Sequence, residues 1–155
     1  MKITDYLTPE LVFADLPPGE KDEILEALAT RVAEVIPKLS RDRVLAVLKE
    51  REALGSTGIG GGIAIPHGKM AELDDIVILF ARNREGVDFA AVDGRPVQLF
   101  FLLLAPESAA GTHLKILARI SRMLKNQEFR LKLLEAPGAD DLYALIREED
   151  EHADR

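Results

Sequence analysis

Residues 55–69 read Gly-Ser-Thr-Gly-Ile-Gly-Gly-Gly-Ile-Ala-Ile-Pro-His-Gly-Lys. Five glycines between Gly55 and Gly62 break all periodicity, so this stretch divides the chain into two differently patterned parts. Upstream, Ser40 is placed to cap a helix carrying Val44, Leu45, Val47, Leu48 and Leu54, with Gly55 as its stop. Downstream, Ile63-Ala64-Ile65-Pro66 reads as a short strand and His67-Gly68 as the turn at its end. A helix, a glycine loop and a strand in that order exclude two nucleotide-binding readings. A phosphate-binding P-loop needs Lys and Ser or Thr after its last glycine, but Gly60 is followed by Gly61 and Gly62. A dinucleotide fingerprint needs the strand before the loop, and Ile63 occupies its third glycine position.

Further out, Pro17-Pro18-Gly19 opens a helix near Glu20 in which Ile24, Leu25, Leu28, Val32 and Val35 recur at helical spacing until Pro37. Residues 76–81 and 97–104 are strand candidates, with Asp93-Gly94 between them as a hairpin-type turn signal. Thr112 is placed to cap a helix with Leu114, Leu117, Ile120 and Leu124, and Asn126 one through Phe129, Leu133 and Leu134. After Pro137-Gly138 a last helix carries Leu142, Leu145 and Ile146. The acidic run Glu148-Glu149-Asp150-Glu151 then reads as a solvated, frayed tail. The expected architecture is α/β, a three-layer sandwich with a small sheet, as one domain over residues 1–147 and an acidic tail over 148–155.

Composition narrows the partners. The chain has 155 residues, with 20 Lys and Arg against 27 Asp and Glu, a net charge of −7. Without a basic stripe, nucleic acid is not the expected partner. There is no cysteine, which excludes disulfides, thiolate metal sites and cysteine nucleophiles together. The apolar run from Leu99 to Ala105 is far short of the roughly 18–20 residues that span a bilayer, and the first residues lack a signal-peptide pattern. No membrane insertion and a cytoplasmic location are the expectations.

In the glycine loop, backbone N–H groups can approach an anion closely, and Ser56 and Thr57 add hydroxyl donors. His67, between Pro66 and Gly68, offers a neutral imidazole as a nucleophile near physiological pH. Its plainer reading is a surface histidine in a turn, and that of the glycine run is a flexible connection. His113 falls at a helix start, where the dipole favours an anion, and there too an ordinary helix residue is the alternative. His67 and His113 lie far apart in sequence without a His-x-x-x-His pair, so zinc is a poor fit. No Gly-x-Ser-x-Gly elbow supports a serine hydrolase.

Together, Arg51-Glu52, Gly55 to Gly60 and Ile63 to Gly68 resemble the active-site signature of the type-2 enzyme IIA family, the fructose, mannitol and nitrogen-regulatory group of the bacterial phosphoenolpyruvate-dependent phosphotransferase system. Phe89, Asp93-Gly94, Leu104-Ala105-Pro106 and His113 to Ala118 come next, in the order the family shows. The resemblance implies a mixed sheet flanked by helices and no cofactor or metal. It implies that His67 accepts a phosphoryl group through Nε2 from an HPr-type phosphocarrier or its nitrogen-branch relative. It further implies that Arg51 steadies the transferred charge and that His113 orients the group. Ser56, Thr57, Gly58 and Gly68 are the expected phosphoryl-binding positions, and Ile59, Ile63 and Met70 candidate rim residues. Mannitol-type members carry a glutamate six residues before the phosphorylated histidine, where this chain has Gly61. The wording stands nearest to the nitrogen-regulatory branch, whose partners include a kinase or a potassium-transport protein. A fructose-type component passing phosphate to a IIB domain is the alternative, and a non-phosphorylated binding module the third.

Overall fold

The computed structural model describes residues 2–153. A short strand β1 (Val12–Phe13) precedes the helices α1 (Lys21–Val35) and α2 (Arg41–Ala53). Glu23 Oε1 accepts the Glu20 N–H at 3.0 Å at the start of α1. Ser40 Oγ accepts the Arg43 N–H at 3.2 Å and so caps α2 as expected. Gly55 ends α2 at a φ of 140°, a conformation that side-chain-bearing residues rarely adopt. Ile24, Leu25, Leu28, Ala29 and Val32 of α1 are all buried, and Leu28 or Val32 is worth about 1.5–3 kcal/mol relative to exposure.

Next come β2 (Gly58–Gly60), β3 (Ile63–Ala64), β4 (His67–Lys69), β5 (Val77–Val87) and β6 (Val97–Ala105). They form a mixed six-stranded sheet with the order β1-β5-β6-β3-β2, and β4 also pairs with β6. β5 and β6 pair antiparallel at its centre, β1 lies parallel to β5, and β3 and β4 both lie parallel to β6. Of β6 only Gln98 is not buried, a near-continuous apolar strand that must be covered on both faces. The helices flanking the sheet supply that cover.

Three local expectations differ from the structure. His67–Lys69 is strand rather than turn, because the chain keeps running beside β6. Pro66 lacks an N–H and splits the ladder into β3 and β4, while its carbonyl still accepts the Leu103 N–H at 2.9 Å. Asp93-Gly94 is not a two-residue hairpin but part of the loop 88–96, which folds back on the glycine segment. There Asp93 Oδ2 accepts the Gly61 N–H and Oδ1 the Arg95 N–H, both at 3.0 Å. Thr112 is no cap. A 3₁₀ turn beginning after Pro106 runs straight into α3 (Ala110–Met123), so Thr112 and His113 lie in its first turn.

α4 (Gln127–Glu135) is capped by Asn126, whose Oδ1 accepts the Phe129 N–H at 3.3 Å. α5 (Ala139–His152) corrects the expectation of a frayed acidic tail from residue 148. Asp150 is fully buried. Its carboxylate accepts from Arg119 Nε at 2.8 Å and from the Thr4 N–H and hydroxyl at 3.0 and 3.1 Å. The end of α5 is thereby fastened to α3 and to the amino-terminal segment, while Glu148 and Glu151 remain solvated. Residues 154 and 155 of that expected tail lie outside the described residues. Among the described residues, no helix is long and apolar enough to cross a membrane.

Candidate functional site

Two parts of the chain meet over β4. From α2 comes Arg51, and from the first turn of α3 comes His113, with the His67 ring between them. Arg51 Nε lies 3.2 Å from His67 Nε2, and the His113 and His67 ring centroids are 5.4 Å apart at 90°. His67 Nδ1 lies 2.7 Å from the Ile65 carbonyl oxygen.

These contacts fix the tautomer. A guanidinium has no acceptor, so its Nε–H must donate to an unprotonated Nε2. A carbonyl has no proton, so Nδ1 must carry the hydrogen and donate it to Ile65. Nε2 is therefore the ring nitrogen with a lone pair, and it is the one that faces Arg51. Burial holds His67 below the usual imidazole pKa; the Nδ1–H bond to Ile65 opposes this, Arg51 adds to it and Glu52 opposes it. The ring is neutral at physiological pH.

His113 is more strongly perturbed. It is 5% exposed, and neither ring nitrogen has a hydrogen-bond partner among the described residues. Its pKa is lowered from 6.5 to about 4, first by burial and then by His67 and Lys69. Unfolded, this imidazole gains its proton as the pH drops below 6.5, while folded it stays neutral to about 4. Its contribution to stability is thus complete above pH 6.5 and lost as the pH falls toward 4. Urea titrations should show stability falling by about 1.4 kcal/mol per pH unit across that window for one such proton. The slope should be reduced in His113→Gln; an identical slope in that variant would contradict the assignment.

Gly68 is essential to this geometry. A Cβ at that position would lie 2.2 Å from Val47 Cγ1, so α2 crosses β4 where only hydrogen fits. Val47 and Arg51 are one helical turn apart on the same face, so this close crossing sets Arg51 over the imidazole.

Around the histidines lies a cleft of about 570 Å³, whose walls include Arg51, Leu54, His67, Lys69, His113 and Leu114. Gly68 also lines it. Ser56, Thr57 and Gly58 do not. The Ser56 hydroxyl donates to the Phe89 carbonyl at 2.6 Å and accepts the Gly58 N–H at 3.0 Å. The Thr57 hydroxyl donates to Glu52. Gly58 is pressed against the loop 88–96, where an added Cβ would meet that of Ala91 at 2.8 Å. Of the expected positions, the structure brings together Arg51, His67, Gly68 and His113, and it turns the other three toward the support of the loop.

The rim is also redrawn. Ile63 and Met70 are buried in the core, and Ile59 is exposed but does not line the cleft. The apolar rim is made instead by Leu54 and Leu114, 83% and 68% exposed. Helical periodicity counts both as core-facing. The only signal against this is their position at the last turn of α2 and the first turn of α3, where a helix runs off its support.

The site thus joins Arg51, a partly buried His67 and a buried His113 on a mixed sheet. The chain belongs to the family described as phosphoenolpyruvate-dependent sugar phosphotransferase system, EIIA 2, whose model matches residues 5–149. It is 44% identical over 146 residues to a nitrogen regulatory protein of Bradyrhizobium diazoefficiens, covering 94% of this chain and 95% of that protein. It is 37% identical over 151 residues to a fructose-specific EIIA component of the phosphotransferase system of Haloferax volcanii, covering 96% and 98%. The crystal structure of nitrogen regulatory protein IIA-Ntr from Neisseria meningitidis superposes with a TM-score of 0.86 at 36% identity, covering 93% of this chain and 98% of that one.

Proposed function

We propose that the protein is a cytoplasmic phosphohistidine carrier of the nitrogen-regulatory kind, which accepts a phosphoryl group on His67 Nε2 from an HPr-type phosphocarrier and needs no cofactor. The observation that carries this reading is the pair of hydrogen bonds that leave Nε2 unprotonated and hold Nδ1–H on Ile65.

In the proposed step the Nε2 lone pair attacks phosphorus as the donor's N–P bond breaks, and the donor imidazole leaves with the bonding pair. No proton has to leave His67, because Nε2 has none. The positive charge that develops on the ring is shared with the Ile65 carbonyl through Nδ1–H. The Arg51 Nε–H, released from Nε2 as the N–P bond forms, turns to the phosphoryl oxygens, and a neutral His113 N–H donates to another. A neutral His113 contributes a donor without fixing the phosphoryl group as an ion pair, which suits a group that must be passed on. Leu54 and Leu114 give a protein donor an apolar rim to dock against.

The regulatory reading is favoured by the 44% identity to the Bradyrhizobium protein, and its readout would be binding to a kinase or potassium-transport protein. A second reading, a fructose-type component handing the group to a IIB domain, is favoured by the near full-length match to the Haloferax component. Single-turnover transfer from phosphorylated carriers of the two branches tests both. Faster transfer from the nitrogen-branch carrier is expected. Faster transfer from the sugar-branch carrier, with delivery to a IIB domain afterwards, would select the second reading, and failure of both carriers would overturn the phosphocarrier role.

A further inference from the structure

Beside the cleft, but not lining it, the Glu52 side chain is 6% exposed and fully engaged. Its carboxylate accepts from Lys21 Nζ at 2.9 Å, from the Thr57 N–H at 3.0 Å and from the Thr57 hydroxyl. The Lys21 ammonium is itself fixed 4.6 Å from the centre of the Phe89 ring. Glu52 therefore closes residues 52–57 into a loop bound back onto the last turn of α2. Inside that loop lies Gly55, whose carbonyl accepts from Arg51 Nη1 at 2.9 Å. Arg51 is gripped at two points, Gly55 O and His67 Nε2, and the first of these is held where it is by the loop.

We propose that Glu52 is a positioning residue for phosphoryl transfer: by clamping Thr57 and Lys21 it fixes the Gly55 carbonyl, which in turn aims the Arg51 guanidinium at His67 Nε2. This rests on the reading of His67 as the phosphoryl acceptor. The geometry favours the role over simple stabilisation, because the clamp holds the carbonyl that orients a side chain in direct contact with the acceptor nitrogen. A displacement of about 1 Å in such a group can slow a reaction by up to a hundredfold.

The sign of one measurement separates positioning from direct electrostatics. The charged and titratable groups acting at the His67 ring are Arg51 and Glu52 of α2 and His113 of α3. Glu52 acting by its charge alone raises the His67 pKa, so Glu52→Gln would lower it. Glu52 acting through Arg51 holds a cation and a donor on Nε2, both of which disfavour protonation, and Arg51 outweighs Glu52 at this ring. Loss of the clamp then raises the pKa. Nitrogen NMR titration of His67 in Glu52→Gln should therefore move upward, and phosphoryl transfer should slow on the order of tenfold with donor affinity unchanged. In an Arg51→Ala background the same substitution should leave the transfer rate unchanged and move the titration only downward, because the direct charge of Glu52 is then all that is lost. A downward or absent shift with Arg51 present, or an undiminished slowing of transfer or an upward shift in the Arg51→Ala background, would overturn the proposal. Should Glu52→Gln fail to fold, Thr57→Val removes one arm of the clamp with the charge intact, and the same two outcomes decide. If the wild-type protein takes up no phosphoryl group, the phosphocarrier reading fails, while the titration still decides whether Glu52 positions Arg51.

Discussion

His67→Ala is expected to take up no phosphoryl group from any carrier, yet to unfold cooperatively within about 1–2 kcal/mol of the wild type. The first half rests on the site, where His67 Nε2 is the ring nitrogen held unprotonated against Arg51. His113 is not a substitute acceptor, because it is 5% exposed and both its ring nitrogens are buried, whereas His67 is only partly buried. The second half rests on how little folding energy the ring carries. His67 is only partly buried, its deletion removes one hydrogen bond to the Ile65 carbonyl, and a bond of that kind contributes about 0.5–1.5 kcal/mol. Arg51 keeps its bond to Gly55 and can be hydrated on its other side. Intact mass after incubation with the relay proteins, together with a urea transition, checks both halves. A phosphorylated His67→Ala protein, or one without a cooperative transition, would contradict the account.

Gly68→Ala has the next largest effect, and it acts on stability and rate together. The new methyl would stand 2.2 Å from Val47 Cγ1, a clash with the side chain, while the Val47 carbonyl oxygen at 3.8 Å is in ordinary contact. Val47 is β-branched, buried and on a helix, which leaves its χ1 little freedom. The helix itself must move off β4, at a cost of about 1–3 kcal/mol for overpacking. Arg51 moves with it and loses Nε2. The expected outcome is a destabilised protein whose transfer rate drops by roughly tenfold or more, with part of both effects recovered in Gly68→Ala/Val47→Ala. Urea titration and single-turnover transfer measure the two quantities. Wild-type stability and rate in Gly68→Ala would show that the crossing of α2 over β4 does not set the arginine.

The helices are legible in the sequence because their signals are local. Ser40 and Asn126 cap as their chemistry dictates, and Pro37 and Gly55 end what they should end. The positions that read differently depend on residues far along the chain. Asp150 sits in an acidic run that reads as solvated, and only Arg119 and Thr4, brought in by folding, explain its burial. Thr112 is displaced from its capping role because Pro106 starts the turn early. His67–Lys69 becomes strand because β6 supplies a partner that no nearby residue announces.

The site divides in the same way. Pro66-His67-Gly68 is conspicuous in itself, but spacing alone cannot bring Arg51, His67 and His113 into contact; their association comes from resemblance to a family. Ser56, Thr57 and Gly58 look like anion ligands because small and hydroxyl residues serve both anion binding and tight loops. In this fold their hydrogen bonds go to Phe89 and Glu52, which no reading of a glycine-rich segment can choose in advance. Gly68 is expected from the sequence as a phosphoryl-binding position, and the structure adds a second reason for a glycine there, the passage of Val47.

In the proposed transfer Nε2 of His67 is the accepting atom while Nδ1 keeps its proton on the Ile65 carbonyl. Nitrogen and phosphorus NMR of the histidine-labelled protein, recorded before and after phosphorylation by an HPr-type carrier, tests this directly. One new phosphorus signal coupled to His67 Nε2 is expected, with the Nδ1–H resonance of that ring retained. A phosphoryl group on Nδ1 of His67, or on either nitrogen of His113, would contradict it.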